Sequence, residues 1–259
     1  MLSDGLADCA GVIHAFTTRA GGVSGGVYSS LNLGFNRGDD PDKVRENYNI
    51  LASSLGLDAA RLVCSHQVHG DTVRVATAAD CRSDLASPTG YDADALVTNE
   101  PGLALMVFAA DCIPILLYAA DTHAAGAAHA GWRGTVADIA GKTAMKLCGE
   151  YGGRPENIRA AIGAGIGLCC FETGAEVYEA AKMLDLPDFA DLYREDGGGK
   201  YHLDLKGLNR ALLIRAGLRE ENIAVNPECT MCLCDKYWSH RATNGVRGVQ
   251  GAVIALKNT

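Results

Sequence analysis

Apolar residues along this chain follow helical spacing in some segments and form short continuous runs in others. Between Asp40 and Gly56 they recur every three or four positions, with Asp40 as a capping residue, Pro41 in the first turn and Gly56 as a stop. The same spacing predicts helices over 136–152, 175–184 and 205–217. Apolar runs predict strands at 61–65, 72–76, 103–109, 113–119, 124–129, 158–162, 223–225 and 249–256. A strand followed by a Gly/Ser/Asn-rich loop is predicted in 11–37, and a polar loop in 185–200.

The order of these elements indicates the fold class. Strands and helices are interspersed without the strict alternation of a βαβ barrel, which favours an α+β fold. We therefore predict a layered sandwich of mixed β-sheets with flanking helices. At 259 residues the chain can bury one large core, and no linker-like stretch divides it. A single domain spanning 1–259 is the expectation.

The charge and composition of the chain limit the classes of partner that it is expected to bind. The formal net charge of −8 gives no electrostatic footprint for nucleic acid or for an anionic membrane. No stretch approaches the ~20 apolar residues of a membrane span, and the N-terminal residues lack the pattern of a secretion signal. Ten cysteines in a chain of this length favour reduced thiols in the cytoplasm over a disulfide framework. A small anionic ligand remains compatible, since a few local arginines suffice to bind it.

Three residues with metal-binding side chains lie in unusual contexts. His69 lies in CSHQVHGD, Cys112 in AADCI and His129 in AAHAGWRG. Zn²⁺ favours imidazole and thiolate ligands, and three protein ligands leave a fourth position open, as in catalytic sites. The last two segments flank consecutive apolar strands, so Cys112 and His129 are expected at the same end of one sheet. From the residues alone, two core histidines and a buried thiol are the competing interpretation, and His66 is a weaker candidate ligand.

Candidate catalytic and substrate-binding groups lie near these ligands or in glycine-rich loops. Asp111 directly precedes Cys112, so its carboxylate is a candidate to orient an imidazole ligand or to accept a proton. Arginine provides the fork-shaped donor that phosphate favours, which makes Arg19, Arg133 and Arg241 candidates for binding phosphate. Ser24 and Asn32 are candidates for binding ribose hydroxyls.

Other motifs are weaker. Cys229, Cys232 and Cys234 suggest a second, structural metal, but the sequence offers no evident fourth ligand. The run PECTMC lacks the Pro-Cys pair of zinc deaminases, and no H-x-E occurs. GAGIG at 163–167 lacks the third glycine of a dinucleotide motif and is interpreted as a tight backbone passage.

Longer motifs resemble one family along nearly the whole chain. They are TTRAGGVSGG with SLNLGFNRGDDP, QVHGD, DADALVTNEPGLALMVFAADCIPILL, AAHAGWRGTV, AIGAGIGLCCFETGAEV, LDLKGLNRALLIRAGL and YWSHRATNGVRGVQGAVI. The chain resembles the laccase-domain family, also called multicopper polyphenol oxidase or YfiH-like proteins. The resemblance implies a single α/β sandwich and a zinc site formed by His69, Cys112 and His129. One departure is the cysteine-rich CTMCLC before YWSHR.

The resemblance also implies an activity. Members of this family act as zinc-dependent purine nucleoside phosphorylases on adenosine, inosine and 5′-methylthioadenosine, with adenosine deaminase as a side activity. The expected small-molecule partners are a purine nucleoside and phosphate, and the oligomeric state is left open. Cys112, Asp111 and His129 are the expected catalytic residues.

Three alternative functions stay open at this stage. Cu²⁺ outcompetes Zn²⁺ at such ligands, which suits a copper-dependent polyphenol oxidase. However, seven histidines and no H-x-H pair are too few for the multicopper sites of a laccase. A cysteine hydrolase that edits a peptidoglycan precursor would use Cys112 as nucleophile and His129 as base. A non-catalytic interaction protein would turn over no nucleoside.

Overall fold

The computed structural model describes residues 5–258 and contains five α-helices and thirteen strands within them. The helices are α1 (Pro41–Leu55), α2 (Trp132–Val136), α3 (Ile139–Tyr151), α4 (Ala175–Lys182) and α5 (Leu205–Arg215). The first seven strands are β1 (Val12–Phe16), β2 (Leu62–Cys64), β3 (Val73–Val75), β4 (Ala95–Thr98), β5 (Ala104–Ala109), β6 (Ile113–Ala119) and β7 (Ala124–Ala130). The other six are β8 (Ile158–Ile162), β9 (Glu172–Gly174), β10 (Tyr193–Gly197), β11 (Lys200–Leu203), β12 (Ile223–Val225) and β13 (Gln250–Leu256).

Two large sheets and two helical layers form the body of the protein. One sheet has the order β1-β13-β5-β2 and the other β12-β8-β6-β7-β4-β3. Alternate residues of β5 explain the layering, because Leu105 and Val107 pack between the sheets whereas Ala104 and Met106 face α1. The outer face of the six-stranded sheet packs against α3 and α5. The mixed α+β sandwich expected from the sequence is thus confirmed.

The β6–β7 hairpin places two of the predicted metal ligands. The strands are antiparallel, with Pro114 opposite His129 and Ile113 opposite Ala130. Cys112 immediately precedes β6, and His129 is the second-last residue of β7. Because the two strands are antiparallel, the start of β6 and the end of β7 lie at the same end of the sheet. Cys112 and His129 therefore lie at the same end of the sheet, as the sequence predicts.

One predicted loop contains a strand. Residues 193–197 of the expected polar loop 185–200 form β10, which pairs with β11 in a small sheet of order β10-β11-β9. Most of β10 is exposed, so it lacks the apolar alternation on which a sequence-based prediction depends. None of the helices in 5–258 is both long and apolar enough to cross a bilayer.

Candidate metal centre and active site

The candidate metal centre lies at one end of the six-stranded sheet, where it is formed by His69, Cys112 and His129. Their ligand atoms all lie within 4.8 Å of one another, and the two imidazole rings meet edge to face with centroids 4.8 Å apart. His129 is buried in β7, whereas His69 is exposed on the loop between β2 and β3. Two imidazoles and one thiolate on one open side form the donor set of a catalytic zinc site, so these residues fit the metal that the sequence implies.

Asp94, just before β4, holds the side chain of His129 and the loop of His69 in place by hydrogen bonds. Its Oδ1 accepts a 2.8 Å hydrogen bond from His129 Nδ1, which leaves Nε2 free to act as ligand. Its carboxylate also accepts from the backbone N–H groups of Val68, His69 and Gly70 at 3.1, 3.0 and 2.7 Å. Asp94 is fully buried and thus fixes both the imidazole of His129 and the loop that carries His69.

Electrostatics favour the thiolate form of Cys112. Burial disfavours a charged thiolate, but His129 and His69 outweigh it and lower the pKa of Cys112 to about 6. Burial likewise opposes a charge on His129, yet Cys112 and Asp94 raise its pKa to about 9. The thiolate is the form that binds a metal or attacks an electrophile, so Cys112 is in its reactive form at neutral pH.

Two residues at the centre have left-handed backbone conformations. His69 has φ 61° and Asp111 has φ 86°, a region that residues other than glycine adopt uncommonly. Asp111 is held there by 2.6 Å hydrogen bonds from Thr230 Oγ1 and from the backbone N–H of Arg241. The imidazole-orienting role that the sequence suggested for Asp111 belongs to Asp94. Asp111 instead ties the Thr230 and Arg241 segments to the residue next to Cys112.

Gly131 lies against the ligands where a larger residue does not fit. A Cβ at this position would lie 2.9 Å from His69 Cδ2 and 3.1 Å from Cys112 Sγ. Its backbone conformation is open to any residue (φ −70°, ψ 172°), so the requirement for glycine comes from space alone.

Replacing Gly131 by alanine is therefore expected to displace two ligands and to lower zinc affinity. We expect a loss of roughly 10- to 100-fold, similar to that caused by disturbing the partners of metal ligands. The measurement is zinc competition against a chromophoric chelator. Gly149→Ala is the matched control, because a Cβ there meets nothing within 4 Å and should leave zinc affinity unchanged. Equal affinity in both variants would contradict the expectation.

A cavity of about 930 Å³ opens in front of the candidate metal centre. This volume lies within the usual range for small-molecule sites. All three ligands line it, and aromatic side chains of Phe108, Trp132 and Phe171 contribute to its walls. The cavity therefore combines a cluster of candidate metal ligands with flat apolar surfaces of the kind on which a ring system packs.

Arg247 is a buried cation in the cavity wall that the sequence analysis did not single out. The residue is only 8 % exposed, and its Nε has no hydrogen-bond partner. Burial and the nearby Arg37 lower the pKa of Arg247 to about 10, against the opposing influence of Asp111 and Cys112. Its guanidinium donates to the Gly248 carbonyl at 3.2 Å and lies 3.5 Å from His240 Nδ1. Within residues 5–258 no carboxylate forms an ion pair with it, so its positive charge faces the cavity without a neutralising partner.

The predicted substrate residues separate into two groups. Arg133 and Arg241 line the cavity, Arg133 with its guanidinium 4.3 Å from the centre of the Trp132 ring. Arg19, Ser24 and Asn32 do not belong to the lining within the described part of the chain.

The three residues outside the cavity bond within the protein. The guanidinium of Arg19 donates to the carbonyls of Ser29 and Cys234 and covers the Trp238 ring at 4.2 Å. Ser24 Oγ accepts from Asn47, and Asn32 Oδ1 accepts from the backbone of Gly34 and Val249. These contacts organise the loop after β1.

Other sequence candidates also have definite positions. His66 lines the cavity but bonds Asp92 at 2.8 Å and lies outside the three-ligand cluster. In the GAGIG passage, a Cβ on Gly165 would lie 3.0 Å from the Asp111 carbonyl and closer still to Ile113. That passage runs close against the backbone that leads to Cys112.

Comparisons with known proteins identify the family. The family described as multi-copper polyphenol oxidoreductase laccase matches residues 13–257. A purine nucleoside phosphorylase of Deinococcus radiodurans is 42 % identical, over 95 % of this chain and 89 % of its own length. The adenosine deaminase RL5, from an unknown prokaryotic organism, is 37 % identical over 88 % of each chain.

A solved structure shares the fold as well. The crystal structure of YfiH from Bacillus licheniformis superposes with a TM-score of 0.91 at 34 % identity and covers 95 % of this chain and 93 % of that one. The protein is therefore a member of the laccase-domain, YfiH-like family, as its sequence motifs indicated.

Proposed function

We propose that this protein is a zinc-dependent purine nucleoside phosphorylase acting on adenosine, inosine and 5′-methylthioadenosine. The observation that carries the proposal is the His₂Cys cluster at one edge of a cavity that also holds a buried arginine without an ion-pair partner. Relatives named purine nucleoside phosphorylase support it. His69, Cys112 and His129 would hold Zn²⁺, and Cu²⁺ is the competing occupant of the same ligands.

Each part of the cavity suits one step of phosphorolysis. An oxygen of phosphate bonds C1′ of the ribose while the C1′–N9 bond breaks and its electron pair leaves with the purine. Arg247 and Arg241 would bind and orient the phosphate, and Phe171 and Trp132 would pack against the purine. Zinc bound by His69, Cys112 and His129 would supply Lewis-acid chemistry toward an oxygen on phosphate or substrate. Asp111, which lines the same cavity beside Cys112, is proposed as a proton acceptor.

Deaminase activity at the same site is a secondary proposal. The relative named adenosine deaminase RL5 supports it, since its similarity to this chain covers most of both. The same donor set and cavity would serve both reactions. In deamination, a water oxygen would bond the purine carbon that carries the amino group, and the amino group would leave as ammonia.

A cysteine hydrolase is the competing proposal that a specific observation favours. The lowered pKa of Cys112 and the raised pKa of the adjacent His129 describe a thiolate–imidazolium pair, which is the activated nucleophile of such an enzyme. Alkylation of Cys112 separates the phosphorylase from the cysteine hydrolase. A thiolate that binds zinc resists alkylation until the metal is removed, whereas a free nucleophilic thiolate reacts without metal removal.

Release of base from inosine is therefore expected to require phosphate. The purified, metal-quantified protein would be assayed with and without phosphate, and hypoxanthine and ribose 1-phosphate would be measured together. The two products should form in equal amounts, and base release should be absent from phosphate-free buffer. Equal base release without phosphate would favour a hydrolase.

Arg247→Met is expected to raise the KM for phosphate. A hydrogen bond to a charged group contributes about 1.5–3 kcal/mol, so the increase should be roughly 10- to 100-fold. Stability should not fall, since the substitution removes a buried charge that lacks an ion-pair partner. The control is Arg159→Met, because Arg159 is exposed on β8 and lies outside the cavity lining. An unchanged KM for phosphate in Arg247→Met would exclude Arg247 from phosphate binding.

A further inference from the structure

Four cysteines meet at a second place in the molecule, beside the candidate active site. The sulfurs of Cys169, Cys170, Cys229 and Cys232 all lie within 4.8 Å of one another. Cys232 Sγ is 3.6 Å from Cys169 Sγ and 3.4 Å from Cys170 Sγ. Sequence spacing did not reveal this group, because two of its members come from a separate loop and Cys234 does not belong to it.

The sheet brings the two loops together. Strands β8 and β12 are parallel neighbours, so their carboxyl ends emerge side by side. Beyond these ends, Gly165 pairs with Cys229, and the backbone N–H of Thr230 donates to the Gly165 carbonyl at 3.1 Å. The convergence of the four thiols is thus a consequence of strand pairing.

The backbone around Cys229 is arranged to stabilise a thiolate. The N–H of Gly167 donates to Cys229 Sγ at 3.2 Å. Against the effect of burial, backbone N–H groups of Cys232, Gly167 and Met231 lower the pKa of Cys229. A Cys-x-x-Cys turn with N–H donors to its first sulfur is the arrangement of a zinc-binding knuckle. Gly167 also has little room for a side chain, because a Cβ would lie 3.2 Å from Cys229 Cβ and 3.3 Å from Cys169 Sγ.

We propose that Cys169, Cys170, Cys229 and Cys232 bind a second, structural Zn²⁺ ion. A Zn–S distance of about 2.3 Å in a tetrahedron separates the sulfurs by roughly 3.8 Å, close to the distances found here. A disulfide would bring only two sulfurs to about 2.05 Å and would leave the other two without a role. Four thiolates in a tetrahedral arrangement select zinc over the harder divalent ions.

A buried lysine offsets the negative charge of such a site. Lys206 is 5 % exposed, and its ammonium donates to the carbonyls of Asn226 and Glu228 in the segment that leads to Cys229. Burial lowers the pKa of Lys206, while Cys229 and Cys169 are among the groups that oppose this. A cation in this position compensates a four-thiolate centre with net negative charge.

The second site would position groups at the first. The guanidinium of Arg241 donates to the carbonyls of Cys170 and Glu172 at 3.4 and 3.1 Å. Thr230, between two of the cysteines, donates to Asp111 Oδ1 at 2.6 Å. Zinc at the four cysteines would hold Arg241 and Asp111 in place without touching the substrate.

Metal counting on the full-length protein tests this inference independently of catalysis. Protein purified under reducing conditions with zinc supplied should contain close to two equivalents per chain, and Cys169→Ser/Cys232→Ser close to one. Cys234→Ser is the matched control on the same loop and should keep two. In cobalt-loaded protein, the thiolate-to-Co²⁺ charge-transfer absorption should be lower in Cys169→Ser/Cys232→Ser. The remaining absorption should be that of a site with Cys112 as its one thiolate ligand. A metal content equal to that of the wild type in the double variant would overturn the proposal.

Thiol reactivity in the unmodified protein gives a second test that does not depend on how a variant folds. Cys169 and Cys232 are exposed, so as free thiols they are accessible to a maleimide. As zinc ligands they should react only after a strong chelator is added, as followed by mass mapping of labelled peptides. Immediate labelling without the chelator, or a disulfide within the group in anaerobically purified protein, would refute the site.

Discussion

Cys112→Ser is expected to remove zinc from the His₂Cys centre and most of the phosphorolysis with it. A serine hydroxyl is a poor ligand at neutral pH, whereas the Cys112 thiolate is favoured by its neighbours. The loss of affinity should exceed the roughly 100-fold that disturbing a ligand's partner can cause. Activity should follow zinc occupancy and recover in part when excess Zn²⁺ is added.

The same variant separates the two leading mechanisms. If Cys112 acts as a covalent nucleophile, turnover should vanish while the metal content stays at the level of the unsubstituted protein. Cys64→Ser is the matched control, since Cys64 is a buried thiol in β2 outside both cysteine-containing clusters. It should keep the zinc content of the His₂Cys centre. Loss of turnover at full zinc occupancy in Cys112→Ser would exclude a role restricted to metal binding.

Asp94→Asn is expected to weaken both the zinc site and the fold. An amide keeps one acceptor oxygen but replaces the other with a donor, which faces backbone N–H groups of the His69 loop. Zinc affinity should fall roughly 10- to 100-fold through loss of the carboxylate that orients His129. The free energy of unfolding should fall by about 1–3 kcal/mol, because buried N–H groups lose their acceptor.

Asp92→Asn provides a control two positions away. Asp92 pairs with His66, and both side chains are largely exposed, so its substitution should change neither zinc affinity nor stability appreciably. Calorimetric titration of zinc and urea denaturation measure the two effects separately. If Asp94→Asn binds zinc with the affinity of the unsubstituted protein, the Asp94 carboxylate does not support the metal centre.

The sequence predicted those parts of the fold that follow from local chemistry. Helix α1 begins after Asp40, whose side chain accepts from the Asp42 N–H, and ends before Gly56 in a left-handed conformation. Strands β6 and β7 are fully buried apolar runs, so composition alone marks them. Strand β10 was missed because its exposed residues form a strand only by pairing with β11.

The site was less accessible to sequence reasoning, for physical reasons. The positions of Cys112 and His129 at the ends of neighbouring strands predict that these two residues meet, but no strand pairing in the sequence places His69 beside them. Asp94 was missed because its role depends on three backbone N–H groups from a distant loop, which no spacing rule encodes. Arg247 lies in an ordinary loop sequence, GVRGVQ, and only its burial shows that its charge is unusual.

The left-handed backbone at His69 restricts which metals this scaffold can come to prefer. Asn, Asp and His enter that conformation most readily among residues other than glycine. A change from His69 to aspartate would therefore keep the backbone and offer a harder oxygen ligand. A change to cysteine would place a second thiolate on a backbone that opposes it. Drift in metal preference at this position should favour harder ions, while softer ligands remain confined to position 112.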